Sequence, residues 1–184
     1  SIYIKFKSSC DFARAFLFLS KNNEKSFQIH KFVFYFYSNM RNILIIGAGR
    51  SASSLIQYLL TKSDAEKLHL TIGDLSLELA QRKTNNHPNA TAIQLDITNE
   101  SQRQAEIQKA DIVISMLPAH MHIEVAKDCI IFKKHMVTAS YVSDAMQGLD
   151  AAAKENNLIF MNEIGLDPGI DHMSAMKVID EIRD

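Results

Sequence analysis

The stretch MNEIGLDPGIDH, residues 161–172, sets Glu163, Asp167, Asp171 and His172 beside two glycines and a proline. Carboxylates and an imidazole can move protons. Each can take a proton from a reacting amine, or hold a water for attack. The same residues allow plainer uses. Asp167-Pro168-Gly169 is a turn sequence. Asp171 can cap a final helix whose interior would hold Met173, Met176 and Ile179. Glu163 can be a solvated acid at a strand end. Tyr141 and His122 add titratable groups from elsewhere in the chain. His120 and His122 lie two apart, so on a helix they share no face, and no cysteine or carboxylate completes a ligand set. No metal site is expected.

A second motif points to a nucleotide. GAGRSA, residues 47–52, follows the apolar run NILII and fills the pattern G-x-G-x-x-A with Gly47, Gly49 and Ala52. Gly47 allows the tight strand-to-helix turn, Gly49 lets a pyrophosphate approach the backbone, and Ala52 lets the helix lie close to the strand. The phosphates then meet free N–H groups at a helix start, where the dipole favours negative charge. The motif alone is weak, so its setting matters. Ala52, Leu55, Ile56, Leu59 and Leu60 recur on one helical face. HLTIGD (69–74) reads as a second strand ending in Asp74, 22 residues after Ala52. That is close to the ~20 expected for an acid holding the adenine ribose. A turn or a helix cap is the plainer reading of Asp74. Leu75 follows where a 2′-phosphate would call for Arg, so the spacing predicts NAD, with NADP admitted.

The elements that position these motifs alternate along the chain. ATAIQLD (90–96), DIVISMLP (111–118), HMVTAS (135–140) and LIFMN (158–162) read as further strands. Helices are expected over about 120–133, with Ile123, Ala126 and Ile130 inward, and about 144–156, with Met146, Leu149 and Ala153 inward. Asp96 ends the third strand as a neighbour of adenine or as a helix cap. The alternation predicts an α/β fold, a doubly wound parallel sheet of Rossmann-like type.

Composition sets the bounds. The chain has 184 residues, 47% hydrophobic and 22% charged, with net charge −1. That suits a globular protein and gives no reason to expect nucleic acid or a membrane surface as a partner. Two cysteines make no disulfide framework, which suits a reducing, cytoplasmic compartment. Residues 1–39 differ from the rest. They hold eight of the ten phenylalanines, no glycine or proline, and six Lys/Arg against two Asp/Glu; the remainder carries 14 against 19. The reading divides the chain into a non-native or disordered extension (1–39), a dinucleotide-binding domain (40–165) and a hinge (166–184). The domain is expected to start at Met40.

The motifs SMLP (115–118), MVTASYVS (136–143) and MNEIGLDPGIDHMSAMKVIDEI (161–182) together resemble the saccharopine dehydrogenase family, in its glutamate-forming branch. The resemblance runs from Met40 to Asp184, and GLDPGIDH is more specific than GAGRSA. It implies an oxidoreductase of lysine metabolism. Hydride leaves the carbon next to the secondary amine of saccharopine, and water splits the resulting imine into glutamate and 2-aminoadipate 6-semialdehyde. It also implies that this chain is truncated before a second, substrate domain, through which the parent forms a homodimer. Carried over by position, the cofactor contacts are Gly47, Ala48, Gly49, Arg50, Ser51, Gly73, Asp74, Leu75, Asp96, Ile97, Leu117, Pro118, Leu166, Asp167, Pro168 and Gly169. Ser140 and Tyr141 match positions that touch the substrate amino acid. Candidates for proton transfer are Asp167, Tyr141 and His172. Leu75 departs from the Arg of NADP-using relatives. The competing readings are a non-catalytic NAD(P)-binding fragment or sensor, and a lysine 6-dehydrogenase.

Overall fold

Four consecutive apolar side chains in RNILII make a strand covered on both faces. The computed structural model describes residues 40–183, and β1 spans Arg41–Ile46 with Ile43 to Ile46 buried. Leu44, Ile45 and Ile46 are at most 1% exposed, and burying each stabilises the fold by about 1.5–3 kcal/mol. The reading of residues 1–39 lies outside the described residues. The described residues belong to one compact unit beginning at Met40.

Five more strands follow: β2 (Leu68–Asp74), β3 (Ala90–Gln94), β4 (Ile112–Ser115), β5 (His135–Thr138) and β6 (Phe160–Met161). All pair in parallel, in the order β3-β2-β1-β4-β5-β6. The chain therefore winds outward from β1 in both directions, the doubly wound Rossmann-like arrangement that the alternation predicts. The order reverses between β1 and β4, and open sheets of this kind bind ligands at the carboxyl ends of strands flanking that point. Register aligns those ends: Ile46 pairs with Gly73 on one side and with Ser115 on the other, and Ser115 pairs with Thr138.

The pleat of β1 sends alternate residues to two cores. Ile43 and Ile45 pack with Ala52, Ile56 and Leu60 of the first crossover. That crossover is a 3-10 turn, Arg50–Ala52, running into α1, Ser53–Glu66. α2 (Leu77–Thr84) adds Ala80 to the same core. Leu44 and Ile46 pack with Ile107 of α3 (Glu100–Lys109) and with Val125, Ala126 and Cys129 of α4 (His122–Ile131) on the other face.

Three helical expectations change. The helix over 144–156 is two pieces, α5 (Asp144–Gln147) and α6 (Asp150–Glu155), with Gly148 and Leu149 between them. Ser143 caps α5 by accepting the Met146 N–H at 3.2 Å, and Gly148, a poor helix residue, ends it. Met146 and Ala153 are nevertheless buried as expected. In α4 the inward face carries His122, Val125, Ala126, Asp128 and Cys129, so it is rotated from the expected Ile123, Ala126 and Ile130. The final helix, α7 (Ile170–Arg183), has no buried residue among those described. Met173, Met176 and Ile179 are 66%, 48% and 41% exposed, because no described element packs on their stripe.

Candidate functional site

The glycine turn leaves β1 at the switch point. Gly47 has φ +107, and a Cβ there would stand 2.8 Å from the Met116 carbonyl oxygen after β4. Only glycine combines that backbone with that approach. The N–H of Gly47 donates to the Gly73 carbonyl at 2.8 Å, tying the turn to β2. Beyond it, the N–H groups of Gly49, Arg50 and Ser51 have no hydrogen-bond partner among the described residues. Nothing lies within 4 Å of a Cβ built on Gly49. Three unpaired donors facing open space at the start of a 14-residue helix suit an oxygen-rich anion, so the residues present fit the pyrophosphate of a dinucleotide.

Asp74 ends β2 beside this turn. Its Oδ2 accepts the Ala48 N–H at 2.7 Å and its Oδ1 accepts the Ser76 N–H at 2.9 Å. The cap of α2 is Ser76, which accepts the Leu79 N–H. Asp74 instead fixes the geometry between β1 and β2. Leu75 is 66% exposed. Its carbonyl accepts from the Gln94 side chain at 3.1 Å.

Asp96 follows β3. Its carboxylate accepts both the hydroxyl and the N–H of Thr98, at 2.7 and 2.9 Å, and the Thr98 bonds hold its pKa below the usual carboxylate range. Asn99 caps α3, so Asp96 shapes the turn rather than the helix end. Ile97 is half-buried and its carbonyl accepts from Arg103 Nη1 at 2.6 Å. Arg103, only 6% exposed, also pairs through Nε with Asp128 of α4 at 2.5 Å. Gln104 donates to the other Asp128 oxygen at 2.9 Å. Sequence reasoning missed this network; nothing in ESQRQAEIQK marks Arg103 off from its polar neighbours.

The far side of the cleft holds two further groupings. His122, 3% exposed at the start of α4, bonds Ser115 Oγ through Nδ1 at 2.8 Å and Ser140 Oγ through Nε2 at 2.7 Å. Thr138 Oγ1 stands 3.3 Å from the same Nε2. Burial, aided by the charge of nearby His120, lowers the His122 pKa, so its imidazole is held neutral. Next to Ser140, Tyr141 donates its hydroxyl to Asp167 Oδ1 at 2.6 Å. That bond leads a rise in the Tyr141 pKa to about 12, to which Asp167, Asp171 and Glu163 add their charge. Tyr141 is therefore a proton donor at neutral pH. Glu163 turns back to accept the Val142 N–H at 3.1 Å.

GLDPG itself is a closed loop. Gly165 N–H donates to the Pro168 carbonyl at 2.9 Å, and Ile170 N–H returns to the Gly165 carbonyl at 3.0 Å. Gly169 has φ +143, and a Cβ there would stand 2.3 Å from the Gly165 oxygen. Pro168 and Gly169 are buried, whereas Leu166 is 75% exposed. Leu117 is half-buried against the second core and Pro118 precedes a 3-10 turn, Ala119–Met121. Tyr141 and Asp167 thus meet, with Ser140 next to Tyr141 in the chain. His172 does not join them; its Nδ1 pairs with Asp171 at 3.0 Å on the exposed first turn of α7. Asp171 receives the Gly169 N–H at 2.8 Å from inside that turn. Among the described residues, no group of three or more His, Cys, Asp or Glu is placed to hold a metal, and no helix is long and apolar enough to cross a membrane.

The sheet order, the glycine turn and Asp74 define a Rossmann-type dinucleotide-binding protein. The family described as "Saccharopine dehydrogenase NADP binding domain" matches residues 43–161, and the chain belongs to it. Saccharopine dehydrogenase [NADP(+), L-glutamate-forming] of Pyricularia oryzae is 41% identical over 142 residues, covering 77% of this chain and 31% of that protein. Alpha-aminoadipic semialdehyde synthase of Arabidopsis thaliana is 35% identical over 156 residues, covering 76% and 15%. The apo structure of the L-Glu forming saccharopine dehydrogenase from Saccharomyces cerevisiae superposes with a TM-score of 0.69 at 37% identity, covering 78% and 31%. The chain spans a third or less of the length of these relatives. The nucleotide expectation was NAD with NADP admitted; the family's description supports the NADP part.

Proposed function

We propose that this chain is the dinucleotide-binding part of an oxidoreductase that acts on the C–N bond of saccharopine. The observation that carries the reading is the glycine turn after β1, with three unpaired N–H donors beside Asp74, in a sheet whose β5 and β6 are followed by the bonded pair Tyr141 and Asp167. The nicotinamide dinucleotide supplies the hydride acceptor. NADP is the nucleotide that the family's description names. Gly47, Ala48, Gly49, Arg50 and Ser51 hold the pyrophosphate; Gly73, Asp74 and Leu75 face the ribose, and Asp96 and Ile97 the adenine. Leu117, Pro118, Leu166, Asp167, Pro168 and Gly169 border the nicotinamide. Ser140 and Tyr141 meet the amino-acid part of saccharopine.

The substrate carbon loses hydride and the nitrogen loses a proton, giving an imine. Water then adds and the C–N bond breaks, releasing glutamate and 2-aminoadipate 6-semialdehyde. Asp167 takes the proton or orients the water. Tyr141, protonated at neutral pH, anchors that carboxylate and presents the ring edge to the cleft. His172, paired with Asp171 at the start of α7, has a supporting role at most. The reading extends to a second domain entered through 166–184, to a homodimer built on it, and to a reducing cytoplasmic compartment.

The test follows absorbance at 340 nm with saccharopine and either NAD or NADP. Reduced cofactor is expected with saccharopine and none with lysine. The reverse pattern moves the reaction to the smaller amine. A chain that binds nucleotide but turns over neither substrate keeps only the binding half of the reading.

A further inference from the structure

The residues that close β2 are built differently from what a phosphorylated ribose needs. Asp74 is fixed in place by two backbone donors, Ala48 N–H at 2.7 Å and Ser76 N–H at 2.9 Å. It cannot swing aside without losing both of these bonds. A carboxylate has about four acceptor positions, so two remain after these bonds. They suit the hydroxyl donors of an adenine ribose. A 2′-phosphate brings only acceptors and close to two negative charges, and a carboxylate repels it.

No cation offsets this next to the strand. Leu75 is the following residue, exposed and apolar, with its backbone tied to β3 through Gln94. Arg82 is engaged with Glu78 at 2.5 Å, one helical turn back. Lys83 reaches Ser53 at the start of α1, also at 2.5 Å. The Arg50 side chain has no hydrogen bond or ion pair among the described residues, but it follows Gly49 directly, where the pyrophosphate itself calls for positive charge.

Resting on the dinucleotide site proposed above, we infer that Asp74 and Leu75 make this chain select the cofactor with a free 2′-hydroxyl. NADH binds it more tightly than NADPH, although NADP is the nucleotide for which its saccharopine dehydrogenase relatives are named. The specificity device is the Asp74 carboxylate, and Leu75 is the position whose side chain decides whether a 2′-phosphate finds a counter-charge.

The experiment is a fluorescence titration of the 184-residue chain with NADH and with NADPH, repeated on Asp74→Asn and Leu75→Arg. Asp74→Asn keeps an acceptor and the side-chain shape while removing the charge; circular dichroism checks that the sheet persists. NADH is expected to bind at least tenfold more tightly than NADPH. Each variant is expected to narrow that ratio at least fivefold, Leu75→Arg mainly by improving NADPH. Equal or tighter binding of NADPH to the unmodified chain overturns the inference. So does an NADH preference that both folded variants leave unchanged, since the determinants then lie elsewhere. If neither cofactor binds, the proposed function falls, and this inference falls with it.

Discussion

At the scale of single residues, the hydrogen bond from Tyr141 to Asp167 divides the chemistry between two groups. Tyr141 is 60% exposed, yet its pKa is pushed up to about 12, because ionising it would place a phenolate against the Asp167 carboxylate. A group held so high cannot serve as a base at neutral pH, which leaves base work to the carboxylate. The expected outcome is visible in an alkaline absorbance titration of the tyrosines. One of them should ionise last, near 12. Tyr141→Phe should remove that late step, and Asp167→Asn should bring it back toward the ordinary tyrosine value. If the late step survives Tyr141→Phe, the pair does not form in solution. His122 shows the other side of the same physics. Its ring has protein partners on both nitrogens, and burial keeps it neutral, so it sets the Ser140 hydroxyl and carries no charge into the cleft.

Elements matter next, because the turn after β3, where the proposed site would take the adenine, depends on how α3 and α4 are joined. Arg103 clamps the Ile97 carbonyl after β3 and the Asp128 carboxylate on α4, and the ion pair is almost fully buried. Breaking a buried pair by removing one partner costs about 3–5 kcal/mol, whereas replacing both with apolar groups costs far less. Arg103→Met is therefore expected to lower unfolding stability in urea by about that amount. Arg103→Met combined with Asp128→Leu should recover most of the loss. Equal losses in the single and double variants would show that the pair is not coupled. This network also marks where the sequence stops being informative. The glycine turn, β1 and the Asp74 position were legible because their demands are local: a φ that only glycine takes, an apolar run, an acid at fixed spacing. The break between α5 and α6 at Gly148, the rotated face of α4 and the exposed stripe on α7 depend on which surface each helix meets, which no local pattern records. Arg103 and Asp128 stand 25 residues apart and are joined only by the packing of α3 on α4. The meeting of Tyr141 with Asp167 was legible only as two separate candidates, and His172 was placed with them although the start of α7 turns it toward Asp171.

For the whole molecule, the proposed site lies across the seam between the two halves of the sheet. One half, β1 to β3, brings the pyrophosphate turn and Asp74; the other, β4 to β6, brings Ser115, Ser140 and the GLDPG loop. The halves share β1 and the pairing of β1 with β4, where Ile46 meets Ser115. In the proposed site a dinucleotide laid over the strand ends would touch loops of both, and none of those contacts would exist in the unfolded chain. Binding to the folded state alone therefore stabilises both halves together. At free ligand a hundredfold above Kd the gain is about 2.7 kcal/mol. Each kcal/mol moves the melting midpoint of a chain of this size by roughly 2–4 °C, so the expected rise is roughly 5–10 °C in one cooperative transition. Gly47→Ala should abolish the rise, because the added Cβ meets the Met116 carbonyl at the seam and pushes β4 from the turn. Differential scanning calorimetry with and without reduced cofactor measures it. A rise confined to one of two separate transitions would mean that the nucleotide is held by the first half alone, with Ser140, Tyr141 and Asp167 outside its reach.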